Sequence, residues 1–286
     1  MTEPLIWTGP GPAPTSRTDR IAALHAGHLL VLPASTASRD LVRRTRAAVR
    51  AALDAEDDRP WSAVQAIPAP YGRLGSVRSA LAQAPGFHEA MRRTARSAGF
   101  SSSDQVDAPR LRSITAGAEQ VPEAAPVYLL HRDTWYGCPD SLLVAWCPLQ
   151  DTPARDMFAF YPGWFDRPVP NTSAVHDHTR WMAEVGWHGQ APLEQYAAPT
   201  RPLVDDALTF DVPEGAMVLF SAAQLHQTRP VGGAPWTRYS VDFRLLPDPT
   251  DIHTAAPSVD NHSTGAEVRV AREFRAIGSP TPPTGQ

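Results

Sequence analysis

The stretch Arg238-Tyr239-Ser240-Val241-Asp242-Phe243-Arg244 constrains the fold more than any other. Tyr239, Val241 and Phe243 alternate with Arg238, Ser240, Asp242 and Arg244. That period of two is the signature of a β-strand with an apolar face and a polar face. The polar face has two readings. It meets solvent, or it lines a cavity and offers a fixed guanidinium beside a hydroxyl, a pair suited to gripping a carboxylate.

A second stretch, Tyr128-Leu-Leu-His131-Arg-Asp133-Thr-Trp135-Tyr-Gly137, carries the chemistry. The apolar run Val127–Leu130 predicts a strand, and Gly137, Pro139 and Asp140 supply turn chemistry after it. On a strand, residues two apart share a face, so His131 and Asp133 are expected to project into one space. A third element, Pro213 to His226, reads as a tight turn, an apolar strand over Ala216–Phe220 and a histidine just beyond it.

Other strands are predicted at His28–Pro33, Leu111–Ile114, Ser141–Trp146, Met157–Tyr161, Ala207–Phe210 and Tyr239–Leu246. Helices are predicted at Arg39–Ala55, with N-cap candidates in Ser35–Ser38, over one or two segments of Tyr71–Phe100, and at Ala266–Ala276. The arginines of the first helix read as a solvated face. His88 reads as a surface or packing residue. Helices first and many short strands after them predict a mainly β fold with flanking helices, a jelly roll or cupin-like double-stranded β-helix.

At 286 residues the chain suffices for one large domain. Residues 1–18 read as a flexible Pro-rich tail, 19–248 as a single domain and 249–286 as a C-terminal extension. Within the domain the jelly-roll core spans 109–246. A long irregular insert, 162–200, reads as a lid. Trp164, Trp181, Trp187 and Tyr196 lie in it, as do His176-Asp177-His178 and His188. The histidine pair is a rival metal site if extended, but no strand leads into it and a loop role is favoured.

All 26 basic residues are arginine. The absence of lysine removes a P-loop lysine, a Schiff-base lysine and a kinase-type lysine. Net charge is −4, and no basic stripe points to nucleic acid or an anionic membrane. No apolar run reaches spanning length, so a soluble cytoplasmic protein is expected. Cys138 and Cys147 suggest packing residues rather than a disulfide framework.

The order His131-x-Asp133 … His226 … Arg238-x-Ser240 resembles the iron(II)- and 2-oxoglutarate-dependent oxygenases, in particular the phytanoyl-CoA-hydroxylase-like branch. The resemblance covers roughly residues 109–246. It implies that His131, Asp133 and His226 ligate Fe(II), leaving open positions on the metal. It implies that Arg238, assisted by Ser240, binds the distal carboxylate of 2-oxoglutarate, with Arg244 next in line as the anchor. O2 and a small-molecule substrate complete the set, and succinate and CO2 are co-products. The carboxylate at Asp133 favours hydroxylation, desaturation or oxidative ring closure over halogenation, since related halogenases carry a small residue there.

Substrate contacts are expected from Arg244, Asp242, Arg112 and Trp135, although Arg244 and Asp242 read equally well as partners of each other. The expected substrate is an amino acid or derivative in natural-product biosynthesis. Two rivals stay open: a cupin-type metal enzyme that uses no 2-oxoglutarate, and a non-catalytic jelly-roll binding module.

Overall fold

The computed structural model describes residues 6–68, 74–186, 191–203, 207–232, 236–250 and 254–279. The first elements are β1 (Ile6–Trp7), α1 (Arg17–His25), β2 (Leu30–Leu32) and α2 (Thr36–Ala52). Ser35 caps α2 in a reciprocal box: its hydroxyl accepts from the Ser38 N–H, and the Ser38 hydroxyl accepts from the Ser35 N–H. Leu41, Thr45 and Val49 are buried at four-residue intervals, while Arg43 and Arg44 meet Asp40 on the outer face. Three more helices follow, α3 (Trp61–Gln65), α4 (Gly75–Gln83) and α5 (Pro85–Ser97). The predicted helical segment thus divides in two, and its start at Tyr71 lies outside the described residues. His88 is buried.

The rest is mostly antiparallel sheet: β3 (Gln105–Val106), β4 (Arg110–Thr115), β5 (Leu143–Pro148), β6 (Ala159–Phe160), β7 (Met217–Ser221), β8 (His226–Gln227) and β9 (Thr237–Leu246). Between β6 and β7 lies α6 (His178–Glu184), and the described chain closes with α7 (Ala266–Glu273) and β10 (Arg275–Ala276). The main sheet runs β1-β2-β7-β5-β9-β3-β10, and β4 shares with β3 the edge of β9 away from β5. A small second sheet joins β6 to β8. This is the expected architecture, β-dominated with flanking helices, as in a jelly roll.

Strand β9 is buried at every one of its 10 residues. Tyr239, Val241, Phe243 and Leu245 pack with Leu143, Ala145, Leu219, α2 and α5 in the helix-side core. Arg238, Ser240, Asp242 and Arg244 face the other way, into a cavity. On that inner face Val144, Trp146, Phe158, Phe160, Val218 and Phe220 form a second apolar cluster. Cys138 and Cys147 are both buried and free, and burial pushes each thiol up to about 12.

Several expectations need correction. The run before His131 is not a strand: residues Pro122–Tyr128 form 3-10 turns, because Pro122 and Pro126 fix φ and lack the N–H a ladder needs. Met157–Tyr161 contributes only Ala159–Phe160 to a strand. Ala207–Phe210 makes a single bridge, Leu208 to Phe160. The 162–200 insert is not wholly irregular, since it contains α6. Nor is 1–18 simply a tail: Ile6 and Trp7 pair with Val31 and Leu30. Nor are the described residues 254–279 of the C-terminal extension loose. There β10 adds to β3, and α7 packs against α6. Among the described residues no helix is long and apolar enough to cross a membrane.

The α6–α7 contact is polar at its centre. Glu273 accepts from His178 Nε2 at 3.0 Å and Arg269 Nε at 3.3 Å. Burial opposes its ionisation, but His178, Arg269 and Arg110 outweigh that and hold the carboxyl at about 2 against an ordinary 4.5. A depressed carboxyl contributes stability above its unfolded value and loses it as pH falls through the folded one. Unfolding measured from pH 6 to pH 2 should therefore show about 3 kcal/mol of acid-dependent loss below pH 4.5 that Glu273→Gln removes.

Candidate metal centre

His131 and His226 exchange both backbone hydrogen bonds across an antiparallel bridge, His131 N–H to His226 O at 3.0 Å and His226 N–H to His131 O at 2.9 Å. Directly opposed residues on such a pair project to the same side. Their rings lie 4.4 Å apart, centroid to centroid. Arg132 is extended, and Asp133 then opens a 3-10 turn, Asp133–Tyr136, which closes on Gly137 at φ +65°. A Cβ on Gly137 would also sit 3.0 Å from the Cβ of His178 and 3.1 Å from the Thr264 carbonyl. The shared projection of His131 and Asp133 therefore comes from a strand end and a turn, not from a continuous strand.

The three side chains converge. Asp133 Oδ1 is 3.4 Å from His131 Nε2 and 4.0 Å from His226 Nε2. One ligand atom from each of the three lies within 4.8 Å of the others, and this is the only such His/Cys/Asp/Glu cluster among the described residues. Each imidazole Nδ1 meets a carbonyl, Leu129 O at 2.8 Å and Gln224 O at 2.9 Å. An Nδ1–H donated there leaves the Nε2 lone pair facing the cluster, the tautomer a metal requires. Burial, and then His131, bring His226 down to about 4, so its imidazole is neutral at neutral pH. For Asp133 burial favours the neutral acid, yet Arg244 and the two histidines outweigh it and hold the carboxyl well below the usual range.

Around this cluster is a cavity of about 740 Å³. Arg244 donates to Asp133 Oδ2 at 3.2 Å and to Asp242 Oδ2 at 2.7 Å. Arg112 grips the same Asp242 through two bonds of 3.0 and 3.2 Å. Arg244 and Asp242 are thus partners of one another, and Arg112 is already engaged by Asp242. All three still line the cavity.

Arg238 differs. It is 2% exposed, and one amino group donates to the Asp156 carbonyl. Its Nε lacks a partner, and no carboxylate pairs with it, among the described residues. Burial alone brings it down to about 10. Two positions along the same face, the buried Ser240 hydroxyl also lacks a partner among the described residues.

Trp135 is a correction. It is fully buried, away from the cavity wall, and its Nε1–H donates to Asp260 Oδ1 at 2.8 Å. It anchors the turn. Sequence reasoning missed its partner Asp260 and also missed Arg132. Between the two candidate ligands, Arg132 points the opposite way and is 1% exposed. Its guanidinium reaches Asp260 at 3.2 Å, the Phe165, Trp164 and Arg167 carbonyls at 3.2, 2.5 and 2.9 Å, and the Ala223 carbonyl. Strand parity placed Arg132 opposite His131; nothing pointed to Asp260. Of the rival pair, His178 binds Glu273, and His176 is buried on the cavity wall. Trp181 and Tyr196 line the cavity as well, while Trp164 stacks on the Arg167 guanidinium at 4.3 Å. Trp187 and His188 lie outside the described residues.

Neither a protein-family model nor a curated protein matches the sequence. Among solved structures the chain is similar to SnoN, a non-heme alpha ketoglutarate dependent epimerase from nogalamycin biosynthesis, at 18% identity over 80% of this chain and 83% of that one, TM-score 0.43. ThoJ, a non-heme monooxygenase, is similar at 13% identity over 79% and 77%, TM-score 0.47. EvdO2 from Micromonospora carbonacea var. aurantiaca, complexed with 2-oxoglutarate, is similar at 14% identity over 84% and 97%, TM-score 0.46. At such identities and TM-scores the chemistry rests on this chain's own residues.

Two outcomes are expected. His131→Ala, Asp133→Ala and His226→Ala should each weaken Fe(II) binding by more than about a hundredfold in anaerobic titration, beyond the loss seen for a supporting residue, with the folded far-UV spectrum kept. Asp260→Asn removes the carboxylate bonded to the buried Arg132, and should lower stability to denaturant by up to about 3–5 kcal/mol.

Proposed function

We propose that the chain is an Fe(II)- and 2-oxoglutarate-dependent oxygenase. It oxidises an unactivated C–H bond of a small molecule in natural-product biosynthesis. The order of its site residues, His131-x-Asp133, His226 and Arg238-x-Ser240, supports the phytanoyl-CoA-hydroxylase-like branch. The observation that carries the reading is Arg238. A buried guanidinium without a counter-ion is costly to hold in a protein interior. It lines the same cavity as the His131–Asp133–His226 cluster, with an unsatisfied hydroxyl beside it. A dicarboxylate that reached both the metal and Arg238 would satisfy both at once.

The residues fit the group. Two imidazoles and one carboxylate are the donor set of non-haem iron oxygenases that keep positions open. His131 and His226 would hold the metal through Nε2 and Asp133 through Oδ1. Arg244 occupies Asp133 Oδ2, which favours a single carboxylate oxygen on the metal. When bound, iron and 2-oxoglutarate supply an oxidant from O2, with succinate and CO2 as co-products. The chain supplies placement. Arg238 and Ser240 fix the far carboxylate, and the carbonyls of Leu129 and Gln224 hold the imidazoles in register. The apolar side chains Val144, Trp146, Phe158 and Phe220 line the cavity and exclude water from it. The carboxylate at Asp133 supports hydroxylation, desaturation or oxidative ring closure as the outcome.

The test is an anaerobic titration with Fe(II) and then 2-oxoglutarate, reading the visible band of the chelate. Wild type should show it and His131→Ala should not. Arg238→Met should weaken 2-oxoglutarate by about 2–5 kcal/mol, thirtyfold or more, at unchanged Fe(II) affinity. Ser240→Ala should weaken it less, by about 1.5 kcal/mol. An unchanged 2-oxoglutarate affinity in Arg238→Met would make Arg238 structural and favour a metal enzyme that uses no 2-oxoglutarate.

A further inference from the structure

One wall of the cavity is aromatic from the metal cluster outward. The Tyr136 ring packs edge-on to His131 at 5.5 Å and to His176 at 5.3 Å. His176 meets Trp181 at 5.5 Å, and Trp181 meets Tyr196 at 5.1 Å. All five rings line the cavity. Tyr136 is fixed there by its hydroxyl, which donates to the Ala197 carbonyl at 2.8 Å. Such a surface offers broad, rigid contact to a flat ligand.

His176 breaks the apolar character of that wall. It is 3% exposed, and neither ring nitrogen has a hydrogen-bond partner among the described residues. The Trp181 indole N–H beside it also lacks one among the described residues. A buried polar group left unsatisfied costs about 1–3 kcal/mol, which a ligand group can recover. Burial, with His178 next, brings His176 down to about 4, so the imidazole is neutral at neutral pH. A neutral imidazole has one donor and one acceptor, the complement of an uncharged hydroxyl.

Size points the same way. At water's roughly 30 Å³ per non-hydrogen atom, the ten atoms of 2-oxoglutarate fill at most about 300 Å³. Of the 740 Å³ this leaves about 440 Å³, room for about 15 further atoms at water's spacing and for more when they are covalently bonded. Leucine has nine.

We propose that the cavity takes a multi-ring substrate laid along the Tyr136–His176–Trp181–Tyr196 wall, with an uncharged hydroxyl hydrogen-bonded to His176. This rests on the oxygenase reading for the volume left beside the co-substrate. It replaces the amino acid or derivative expected from the sequence with a larger, multi-ring molecule. His176 is the hydrogen-bonding contact of that wall to the substrate.

The test uses 1-hydroxypyrene and pyrene, two fluorescent four-ring probes that differ by one hydroxyl. Each is titrated, by anisotropy, into anaerobic full-length protein loaded with Fe(II) and 2-oxoglutarate, while the chelate band is followed in parallel. Wild type should bind 1-hydroxypyrene at least tenfold more tightly than pyrene. His176→Phe keeps a ring in the wall, and should bring 1-hydroxypyrene to the affinity of pyrene without moving pyrene binding or the chelate band. Equal affinity for the two probes, no loss in His176→Phe, no binding of either probe, or displacement by millimolar L-phenylalanine would each overturn the proposal. Discrimination by His176 without a chelate band would uphold this subsite and sink the cofactor reading instead.

Discussion

Arg244 is the charge around which the site is arranged. Its guanidinium lies between Asp133 and Asp242, and Asp107 accepts its backbone N–H at 2.7 Å. Burial works against this cation, but Asp242 and then Asp133 outweigh it and raise its pKa. The same attraction runs the other way: Arg112 and Arg244 keep the buried Asp242 ionised. Burying Arg244, Asp133 or Asp242 without the others would cost several kcal/mol, because it would desolvate an unpaired ion. Together they let a strand carry arginine and aspartate into the interior and keep a carboxylate aimed at two imidazoles.

The two arginines at either end of that face resolve a choice that parity leaves open. Arg238 and Arg244 are equivalent as sequence: same strand, same face, six residues apart. Their surroundings are not equivalent. Arg244 has two carboxylates, and Arg238 has a backbone carbonyl and the ring of Trp146 at 5.8 Å. An exogenous anion gains little at a guanidinium that is already neutralised, and much at one that is not. The availability of a cation, rather than its presence, is what distinguishes Arg238 from Arg244.

What the sequence made legible follows from periodicity. The alternation along β9, the strand before His226 and the helical stripe of α2 are properties of a few neighbouring residues, and each stands close to where the pattern placed it. The failures have a different origin. The apolar run Val127–Leu130 has the pattern of a strand, but Pro126 directly before it and Pro122 upstream hold the chain in 3-10 turns as far as Tyr128. Trp135 was assigned to substrate because it follows Asp133, yet a 3-10 turn sends it to Asp260, 125 residues away. The C-terminal segment looked loose because its partners, β3, α6 and Arg132, are remote in sequence. His176 stands apart from the His131–Asp133–His226 cluster, and no local pattern could show that it would be buried without a hydrogen-bond partner among the described residues.

The tripeptide His131-Arg132-Asp133 is anchored through its middle residue. Its outer residues face the cavity, and its middle residue faces the protein, where five oxygen atoms fix the guanidinium. Because Asp260 also accepts from Trp135 and from the Val169 N–H at 2.9 Å, one buried carboxylate joins the ligand turn, the insert and the C-terminal segment. Any shift of Arg132 would move both neighbouring ligands through the backbone. The positions of His131 and Asp133 are therefore set largely from behind, by a network the cavity does not contain. The cavity face can then vary while His131 and Asp133 hold their places.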